Sequence, residues 1–308
     1  MQAFRKAIVV ANPTSGSGRA ARCLDEVAAS LGGVAGQVQV VLTAQAGDGR
    51  RALQDLGEDN VLAVAVGGDG TFNEVLNGAR LDACTLAVIP AGTGNVLAKE
   101  LGMSRRVGRA VAQLLDGRVT LLDVATCNGR RFVSMFGAGV DARAVELVHE
   151  CRKGGLTQLH YVPHVTRAAL RPPSHRIEVE VDGRPFACGA CQVSIGNTHS
   201  YGGPIEMTPA AAPDDGLLDV MCMRWDGPGQ MAGMMVCGLL RSLHLSGAAR
   251  YGRGRRVVVH APGDRVPYEV DGDAAGVLPA AVEVQPAAVR LLVPRAYRPV
   301  QRRPEEDG

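Results

Sequence analysis

The sequence predicts a protein of the α/β plus β class, with an N-terminal doubly wound α/β domain followed by a β-rich, sandwich-like domain. Over roughly the first 125 residues, short apolar runs alternate with helical patterns, which is typical of a parallel sheet covered by helices. From about Leu122 the pattern changes to many short strands separated by turn residues. With 308 residues, 46% of them hydrophobic, the chain is long enough to form two hydrophobic cores.

In the first domain, runs of small and β-branched apolar residues predict strands. These strands are Lys6–Asn12, Val38–Thr43, Asn60–Gly67 and Thr85–Ala91. Apolar residues at helical spacing predict helices between and after the strands. These helices are Gly18–Gly32, Asp48–Glu58, Thr71–Leu81 and Val107–Gly117.

In the second domain, strands are predicted at Arg130–Gly139, His175–Ala187, Cys191–Asn197, Leu217–Arg224, Arg255–Pro262, Val266–Gly272 and Val289–Pro294. Helical stretches are predicted near Ala142–His149, Leu156–Leu170 and Gly229–His244. The last of these is rich in Met, which suits either core packing or an adaptable surface for acyl chains. The predicted domains are therefore residues 1–123 and 124–296, followed by a Pro-rich, charged and flexible tail at 297–308.

The composition argues against several classes of protein. The chain has 33 Lys and Arg against 31 Asp and Glu and only 4% aromatic residues, so a basic, aromatic-rich surface for nucleic acid is not expected. No apolar run reaches the roughly 20 residues of a membrane-spanning helix, and the N-terminus does not resemble a signal peptide. A cytoplasmic protein is expected.

The cysteines and one pair of histidines are residue types that often bind metals, but neither set is interpreted as a metal site. The eight cysteines are expected to be scattered reduced thiols rather than a disulfide framework. The CxxC of Cys188 and Cys191 is expected to be a pair of buried strand thiols rather than a zinc or redox site. His160 and His164 lie four residues apart on a predicted helix. With no third ligand evident, they are interpreted as part of a polar helix face.

Three glycine-containing loops follow predicted strands of the first domain. They comprise residues 12–18, 67–73 and 90–95. In an open α/β sheet, ligands bind at the edge formed by the carboxyl ends of the strands. Glycine lets backbone N–H groups approach a phosphate closely, and the N-terminus of the next helix supplies partial positive charge. Three such loops at one edge predict a phosphate-binding site.

Asp69 lies among the glycines of the second loop. A carboxylate beside a polyphosphate is repelled unless a divalent cation lies between them, so Asp69 indicates a nucleoside triphosphate bound with Mg²⁺. The alternative is that Asp69 caps the helix predicted to begin near Thr71. Both roles can coexist.

A dinucleotide-dependent oxidoreductase is a rival interpretation, because residues 16–21 match the GxGxxG/A fingerprint. The acidic residue that should end the second strand is absent, since that strand ends at Thr43. A nucleotide P-loop is excluded because no GK[ST] follows any of the glycine clusters.

The motifs NPTSGSG, GGDGTFNEVLNG and PAGTGNVLAKELG resemble, in this order, those of the diacylglycerol kinase catalytic domain family, which includes soluble bacterial lipid kinases and is related to sphingosine and ceramide kinases. The segments GNTHSYGGPIEMTPAAAPDDGLLDV and YEVDGD extend the resemblance into the second domain. GGDGT alone is shared with NAD kinases and phosphofructokinases, whereas FNEVLNG and the second-domain motifs favour lipid kinases. The resemblance implies transfer of the γ-phosphate of ATP to a diacylglycerol-like or sphingoid-like hydroxyl, with Mg²⁺, in a cleft between a nucleotide domain and an acceptor domain.

The resemblance also implies where the site residues lie. The implied nucleotide-binding residues are Asn12, Pro13, Thr14, Ser15, Gly16, Thr43, Gly67, Gly68, Asp69, Gly70, Thr71, Phe72, Asn73 and Thr93. Mg²⁺ is expected on the side chain of Asp215 and the backbone carbonyls of Ala212 and Leu217. Asp69 and Asp273 are the expected catalytic residues, with Asp273 at the position of the general base and Asp271 as the only nearby carboxylate expected to be able to replace it.

The sequence departs from the family pattern at several positions. Asp273 replaces the family's Glu, Val96 and Lys99 replace the Asp and Arg of bacterial diacylglycerol kinases, and Ser17 replaces a frequent Lys, leaving Arg19 as the nearest cation. Sphingosine kinases also lack that Asp, so the acceptor lipid stays open. A non-catalytic nucleotide or lipid sensor and an NAD kinase-like phosphotransferase are the alternatives. The implied partner is a lipid of phospholipid metabolism, reached at the membrane surface, and a homodimer is left open.

Overall fold

The computed structural model describes residues 3–140, 142–143, 176–199, 207–227, 229–230, 233, 237 and 247–298. The helix predicted at Leu156–Leu170, most of those predicted at Ala142–His149 and Gly229–His244, His160, His164 and the tail from residue 299 lie outside the described residues. The chain forms two compact units. The first contains Met1–Val124 and Ala287–Tyr297, and the second contains Ala125–Pro286 and Arg298–Gly308.

The first unit is built from parallel strands and short helices. Its strands are β1 (Phe4–Ala11), β2 (Ala35–Leu42), β3 (Val61–Gly67) and β4 (Cys84–Pro90). Its helices are α1 (Ser15–Arg22), α2 (Leu24–Leu31), α3 (Asp48–Gln54), α4 (Asp69–Gly78), α5 (Val96–Glu100) and α6 (Val107–Leu115). β5 (Arg118–Cys127) begins in this unit and ends in the second.

The strands of the first unit lie in the order β2-β1-β3-β4, and all neighbouring pairs are parallel. The order reverses between β1 and β3, because the chain moves outward to β2 and then crosses back. This reversal is the switch point at which open α/β sheets bind ligands. Every residue of β3 and β4 is buried, which explains why these strands are continuous apolar runs rather than alternating ones. The predicted α/β domain is confirmed.

The second unit is antiparallel. Its remaining strands are β6 (Arg130–Phe132), β7 (Met135–Gly139), β8 (Ile177–Val181), β9 (Arg184–Ala190), β10 (Gln192–Gly196), β11 (Leu218–Met223), β12 (Ala249–Gly254), β13 (Arg256–His260), β14 (Pro267–Val270), β15 (Asp273–Val277) and β16 (Ala280–Val293). One sheet has the order β12-β11-β10-β7-β14-β15, and the other places β16, β13, β8 and β9 side by side. One core contains side chains of both sheets, such as Val257 and Ile195, which confirms the predicted sandwich-like domain.

The last strand is longer than its sequence pattern predicts. β16 contains Pro286 with polar residues before it, and these interrupt the strand pattern in the sequence. For this reason only residues 289–294 were predicted as a strand. Early in β16, Val282 pairs antiparallel with Val257 of β13. Later in β16, Leu291 pairs parallel with Leu86 of β4. Residues 287–297 therefore group with the first unit, whereas the sequence pattern alone assigns them to the second domain.

A carboxylate on α4 fixes the beginning of α3. The two oxygens of Glu74 accept hydrogen bonds from the backbone N–H groups of Gly47 and Gly49, each at 2.8 Å. The first N–H groups of a helix have no acceptor within the helix, so they need one from elsewhere. Glu74 thus anchors the segment that leads from β2 into α3.

We expect Glu74→Ala to lower the free energy of unfolding by about 1–3 kcal/mol, because two half-buried backbone donors lose a charged acceptor. Chemical denaturation would measure the change. Glu58→Ala is the matched control, because the Glu58 carboxylate contacts Lys6 only at 3.9 Å on the surface and its loss should change stability by less than about 0.5 kcal/mol. Equal losses in the two variants would contradict an anchoring role for Glu74.

Candidate active site

The loop after β1 is shaped by Asn12 and by left-handed backbone. Asn12 Oδ1 accepts hydrogen bonds from the backbone N–H of Thr14 at 3.0 Å and from its hydroxyl at 2.8 Å. Gly16, Ser17 and Gly18 have φ angles of 58°, 58° and 81°. A Cβ atom at Gly16 would lie 2.0 Å from the carbonyl oxygen of Ala91, so only glycine allows the first loop to pack against the third.

The second and third loops are joined by backbone hydrogen bonds. The carbonyl oxygen of Gly67 accepts from the N–H groups of Ala91 at 2.9 Å and Gly92 at 3.1 Å. Buried Asn95 closes the third loop, since its Oδ1 accepts from Gly92 N–H at 3.0 Å and its Nδ2 donates to Gly92 O at 2.7 Å. Residues 12–18, 67–73 and 90–95 thus form one packed group, called here the loop cluster.

Asp69 connects two loops of this cluster. It is the first residue of α4, and Gly68 is the N-cap. The Asp69 Oδ1 atom accepts a hydrogen bond from Val96 N–H at 2.6 Å, at the first residue of α5. Asp69 therefore caps α5. The N-cap residue of α4, the helix that the sequence alternative assigned to Asp69, is Gly68, which makes no side-chain cap hydrogen bond.

Burial raises the pKa of the Asp69 carboxyl above its ordinary value, and the backbone N–H groups of Val96 and its neighbours oppose that change. The carboxylate is thus held mainly by backbone donors at the beginning of α5, directly after the third loop. Replacement of the family's Asp by Val96 does not disturb this contact, because Val96 contributes its backbone.

The expected nucleotide-binding residues divide by exposure. The exposed residues are Thr14, Gly70 and Thr93. The half-buried residues are Asn12, Pro13, Ser15, Gly16, Thr43, Gly68 and Asp69. The buried residues are Gly67, Thr71, Phe72 and Asn73. Phe72 is 2% exposed, so its side chain contributes to the packing of α4.

The segment that follows Thr43 is held by an acidic residue that the sequence analysis did not single out. Asp48 Oδ2 accepts hydrogen bonds from Ala44 N–H at 2.8 Å and Gln45 N–H at 2.9 Å, and these bonds lower the pKa of Asp48. With Glu74, this gives two carboxylates that shape the loop beside Thr43. An Asp at the start of a predicted helix was the available signal for Asp48.

In the second unit, Asp271 and Gly272 form the two-residue turn between β14 and β15. Their φ angles of 52° and 83° are those of a hairpin turn that favours Asp-Gly. Asp271 Oδ1 accepts from Ser134 N–H and Met135 N–H, each at 3.0 Å, and Oδ2 accepts from Val133 N–H at 3.3 Å. Asp271 therefore fastens the hairpin to the start of β7.

A third carboxylate, Glu269 on β14, lies two residues before Asp271. Glu269 is fully buried and accepts a hydrogen bond from Gly272 N–H at 2.6 Å. The Asp273 side chain is 42% exposed and pairs with Arg130 at 3.1 Å. Of the three carboxylates, Glu269 is buried, whereas Asp271 and Asp273 are both partly exposed.

The expected metal loop is a turn around Gly216, which has a φ of 71°. Asp215 Oδ1 accepts from Leu217 N–H at 2.8 Å, and Ala212 is buried. Among the described residues, no three or more His, Cys, Asp or Glu side chains group in a way that could hold a metal ion. One carboxylate with two backbone carbonyls is an all-oxygen set, which fits a hard cation such as Mg²⁺.

A buried network supports the start of this loop. Asp219 is fully buried and accepts hydrogen bonds from the Tyr251 hydroxyl and, at 3.1 Å, from Arg253 Nε. Tyr251 Oη accepts from Ala210 N–H at 3.3 Å. Burial, with the Asp219 charge, raises the pKa of Tyr251, so the hydroxyl stays protonated and donates. The one feature of the sequence that indicates this network is an acid, Asp219, inside an apolar strand.

The cysteines agree only in part with the sequence interpretation. All those described are free thiols, and most are buried. Cys188 is exposed, so one thiol of the CxxC does not lie in the core as expected. It lies on β9, where none of the first five residues is buried.

Comparison with known families covers nearly the whole chain. The model described as the diacylglycerol kinase catalytic domain matches residues 6–127. The model described as the YegS C-terminal NAD kinase beta sandwich-like domain matches residues 134–293. The chain belongs to the diacylglycerol kinase catalytic domain family. Membership of this family assigns it to the lipid kinases.

Relatives of this lipid kinase span almost its full length. A diacylglycerol kinase of Bacillus subtilis is 29% identical over 90% of this chain and 92% of its own length. A diacylglycerol kinase of Mycobacterium tuberculosis is 29% identical over 94% of this chain and 96% of its own. The crystal structure of a diacylglycerol kinase from Bacillus anthracis superposes with a TM-score of 0.79 at 21% identity, covering 96% of this chain and 99% of that one, which shows a common fold.

Asp69→Asn removes the negative charge of Asp69 but keeps its hydrogen bond, because the amide oxygen of Asn can still accept from Val96 N–H. The folded-state pKa of Asp69 lies above its unfolded value. Its contribution to stability is therefore fully present below the unfolded pKa and is lost as the pH rises through the folded pKa. We expect Asp69→Asn to be more stable than the parent near neutral pH.

The difference in the free energy of unfolding between Asp69→Asn and the parent should shrink as the pH falls, because the Asp69 carboxyl of the parent becomes neutral. Denaturant unfolding at a series of pH values would measure it. Asp69→Ala is the control, since it loses the acceptor as well and should be less stable than Asp69→Asn at every pH. A difference between parent and Asp69→Asn that does not change with pH would contradict the burial of this charge.

Proposed function

We propose that this lipid kinase transfers the γ-phosphate of ATP to a hydroxyl of a diacylglycerol-like or sphingoid-like lipid and that it requires Mg²⁺. The loop cluster is the observation that carries the proposal. Three glycine loops lie at the carboxyl ends of β1, β3 and β4. The second and third are joined through Gly67 O, and the first packs against the third where Gly16 meets Ala91. Such a surface of peptide groups and helix starts suits a polyphosphate.

In this proposal the nucleotide phosphates contact the exposed part of the loop cluster. Thr14, Gly70 and Thr93 supply hydroxyl and backbone donors there. Asn12 holds Thr14 in place through two hydrogen bonds. Buried Phe72 and Asn73 support α4 from within rather than contacting the nucleotide. Asp69 keeps the second and third loops in register through Val96.

Asp215, with the carbonyls of Ala212 and Leu217, would hold Mg²⁺ in this proposal. When bound, this ion neutralises charge on phosphate oxygens. Asp215 Oδ1 also accepts from Leu217 N–H, which fixes the turn that carries two of the three ligands. The Asp219, Tyr251 and Ala210 contacts hold the segment just before it.

Asp273 is the proposed general base. It takes the proton of the lipid hydroxyl while that oxygen forms a bond to the γ-phosphorus and the bond from phosphorus to the β–γ bridging oxygen of ATP breaks, leaving ADP. Asp271 and Glu269 are bound to backbone N–H groups, so Asp273 is the carboxylate of this turn best placed to meet a substrate. Arg130 steadies the Asp273 side chain at 3.1 Å.

Labelled ATP incubated with a total lipid extract, with purified diacylglycerol and sphingosine, and with NAD tests the proposed function. We expect labelled lipid, and we expect chelation of Mg²⁺ to abolish labelling. Labelled NAD in place of lipid would identify an NAD kinase-like phosphotransferase. ATP binding with no labelled product in any arm would identify a nucleotide or lipid sensor.

Asp273→Asn keeps the size of the side chain and removes its basicity, so kcat should fall by roughly 10² to 10⁴. Nucleotide affinity should change little, because Asp273 lies outside the loop cluster. Asp273→Glu restores the longer side chain of the family, and we expect activity at or above that of the parent. Steady-state kinetics with the acceptor found above would test both variants.

Two controls accompany these variants. Asp264→Asn, at an exposed acid of the same unit, should keep the parent kcat. Asp271→Asn should lose about 1–3 kcal/mol of stability, because Asp271 holds three backbone N–H groups. If Asp273→Asn keeps the parent kcat, Asp273 is not the base.

A further inference from the structure

A groove lies at one edge of the β-sandwich in the second unit. It is open to solvent, with a volume of about 480 Å³. It is lined by Val181, Asp182, Arg184, Pro185, Phe186 and Arg253. These residues come from the hairpin that joins β8 to β9 and from β12, and β9 and β12 are the outermost strands of their sheets.

Arginines surround an apolar floor in this groove. The guanidinium carbon of Arg250 lies 4.8 Å from the centre of the Phe186 ring, so an arginine already covers one face of the floor. The ring lies so close to β12 that a Cβ atom at Gly252 would be 2.5 Å from it. Arg184 and Arg250 are exposed and form no ion pair with any residue that the structure describes.

Of the two acids near the groove, Asp182 lines it and Asp219 is buried. Asp182 Oδ1 accepts hydrogen bonds from the backbone N–H groups of Arg255 and Arg256, each at 2.9 Å. Asp219 is fully buried and pairs with Arg253 at 3.1 Å. Two exposed arginines, Arg184 and Arg250, therefore stand against one exposed acid, Asp182, which already accepts two backbone hydrogen bonds, although the whole chain has a net charge of only +2.

We propose that this groove docks the protein on an anionic phospholipid bilayer, with a lipid phosphate between Arg184 and Arg250 and the adjoining apolar atoms against Phe186. An amphiphile fits better than a free phosphate because cationic and apolar surface adjoin within one groove. This docking proposal rests on the proposed function, because the groove would bring the kinase to the membrane that contains its lipid acceptor.

The docking surface is separate from the proposed base. β12 and β15 are at opposite ends of the six-stranded sheet, so five strand spacings of about 4.8 Å, or roughly 24 Å, separate the groove from Asp273. Arg253 links the groove to Asp219 and so to the loop that carries Asp215. For that reason Arg253 is left unchanged in the test.

Sedimentation with phosphatidylcholine vesicles and with mixed phosphatidylcholine and phosphatidylglycerol vesicles tests the proposal, using the full chain without ATP. Each basic residue near an anionic surface changes partitioning roughly five-fold. We therefore expect Arg184→Gln with Arg250→Gln to weaken binding to the mixed vesicles roughly 30-fold. The matched control is Arg105→Gln with Arg109→Gln, which removes the same charge from exposed positions of the first unit and should bind like the parent.

Three results would overturn the proposal. They are equal binding of the parent to both kinds of vesicle, equal loss in the two double variants, and displacement of the vesicles by glycerol 3-phosphate or inorganic phosphate, which would assign the groove to a soluble phosphate. The kinase proposal is tested separately. Lipid labelling in detergent without vesicle binding refutes the surface alone, and vesicle binding without labelling of any lipid refutes the kinase alone.

Discussion

The hydrogen bonds to the carbonyl oxygen of Gly67 are the interaction on which the rest of the first unit's site depends. This oxygen ends β3 and receives N–H groups from Ala91 and Gly92, at the end of β4. Two neighbouring parallel strands are thereby tied beyond their last ladder pair. Gly16 can then pack against Ala91, and Asp69 can reach Val96, only because the second and third loops already touch.

Acidic side chains that bind backbone N–H groups recur throughout the protein. Glu74, Asp48 and Asp69 hold loops of the first unit in this way, and Asp271 and Asp182 hold turns of the second. A carboxylate bound to N–H groups makes a stronger hydrogen bond than a neutral acceptor does and fixes a loop without a long side chain. The chain has 33 Lys and Arg and 31 Asp and Glu, but these numbers do not mean that the acids mainly form ion pairs, because several of them bind backbone N–H groups instead.

Local sequence patterns predicted the strands that are buried along their whole length. They did not predict strands that form only because a segment distant in sequence pairs with them. β3 and β4 are buried on both faces, so their apolar runs identify them directly. β12 consists of Arg, Gly and one Tyr after Ala249, and it is a strand only because β11 pairs with it. The place of Asp69 among glycines drew attention to it as a phosphate-site residue, which stays a prediction. Its observed partner, the N–H of Val96, lies 27 residues away, and no local pattern specifies it.

The path of β16 has a consequence for how the chain acquires its structure during synthesis. β4 pairs with β3 on one side, and on its other side it pairs with Arg290 and Leu291 of β16. These two residues leave the ribosome long after β4 itself. Until they do, one side of the parallel sheet presents unsatisfied peptide groups to any extended chain nearby. The nascent first unit is therefore at risk of pairing with the wrong strand, and a protein shortened before β16 would keep that open flank permanently.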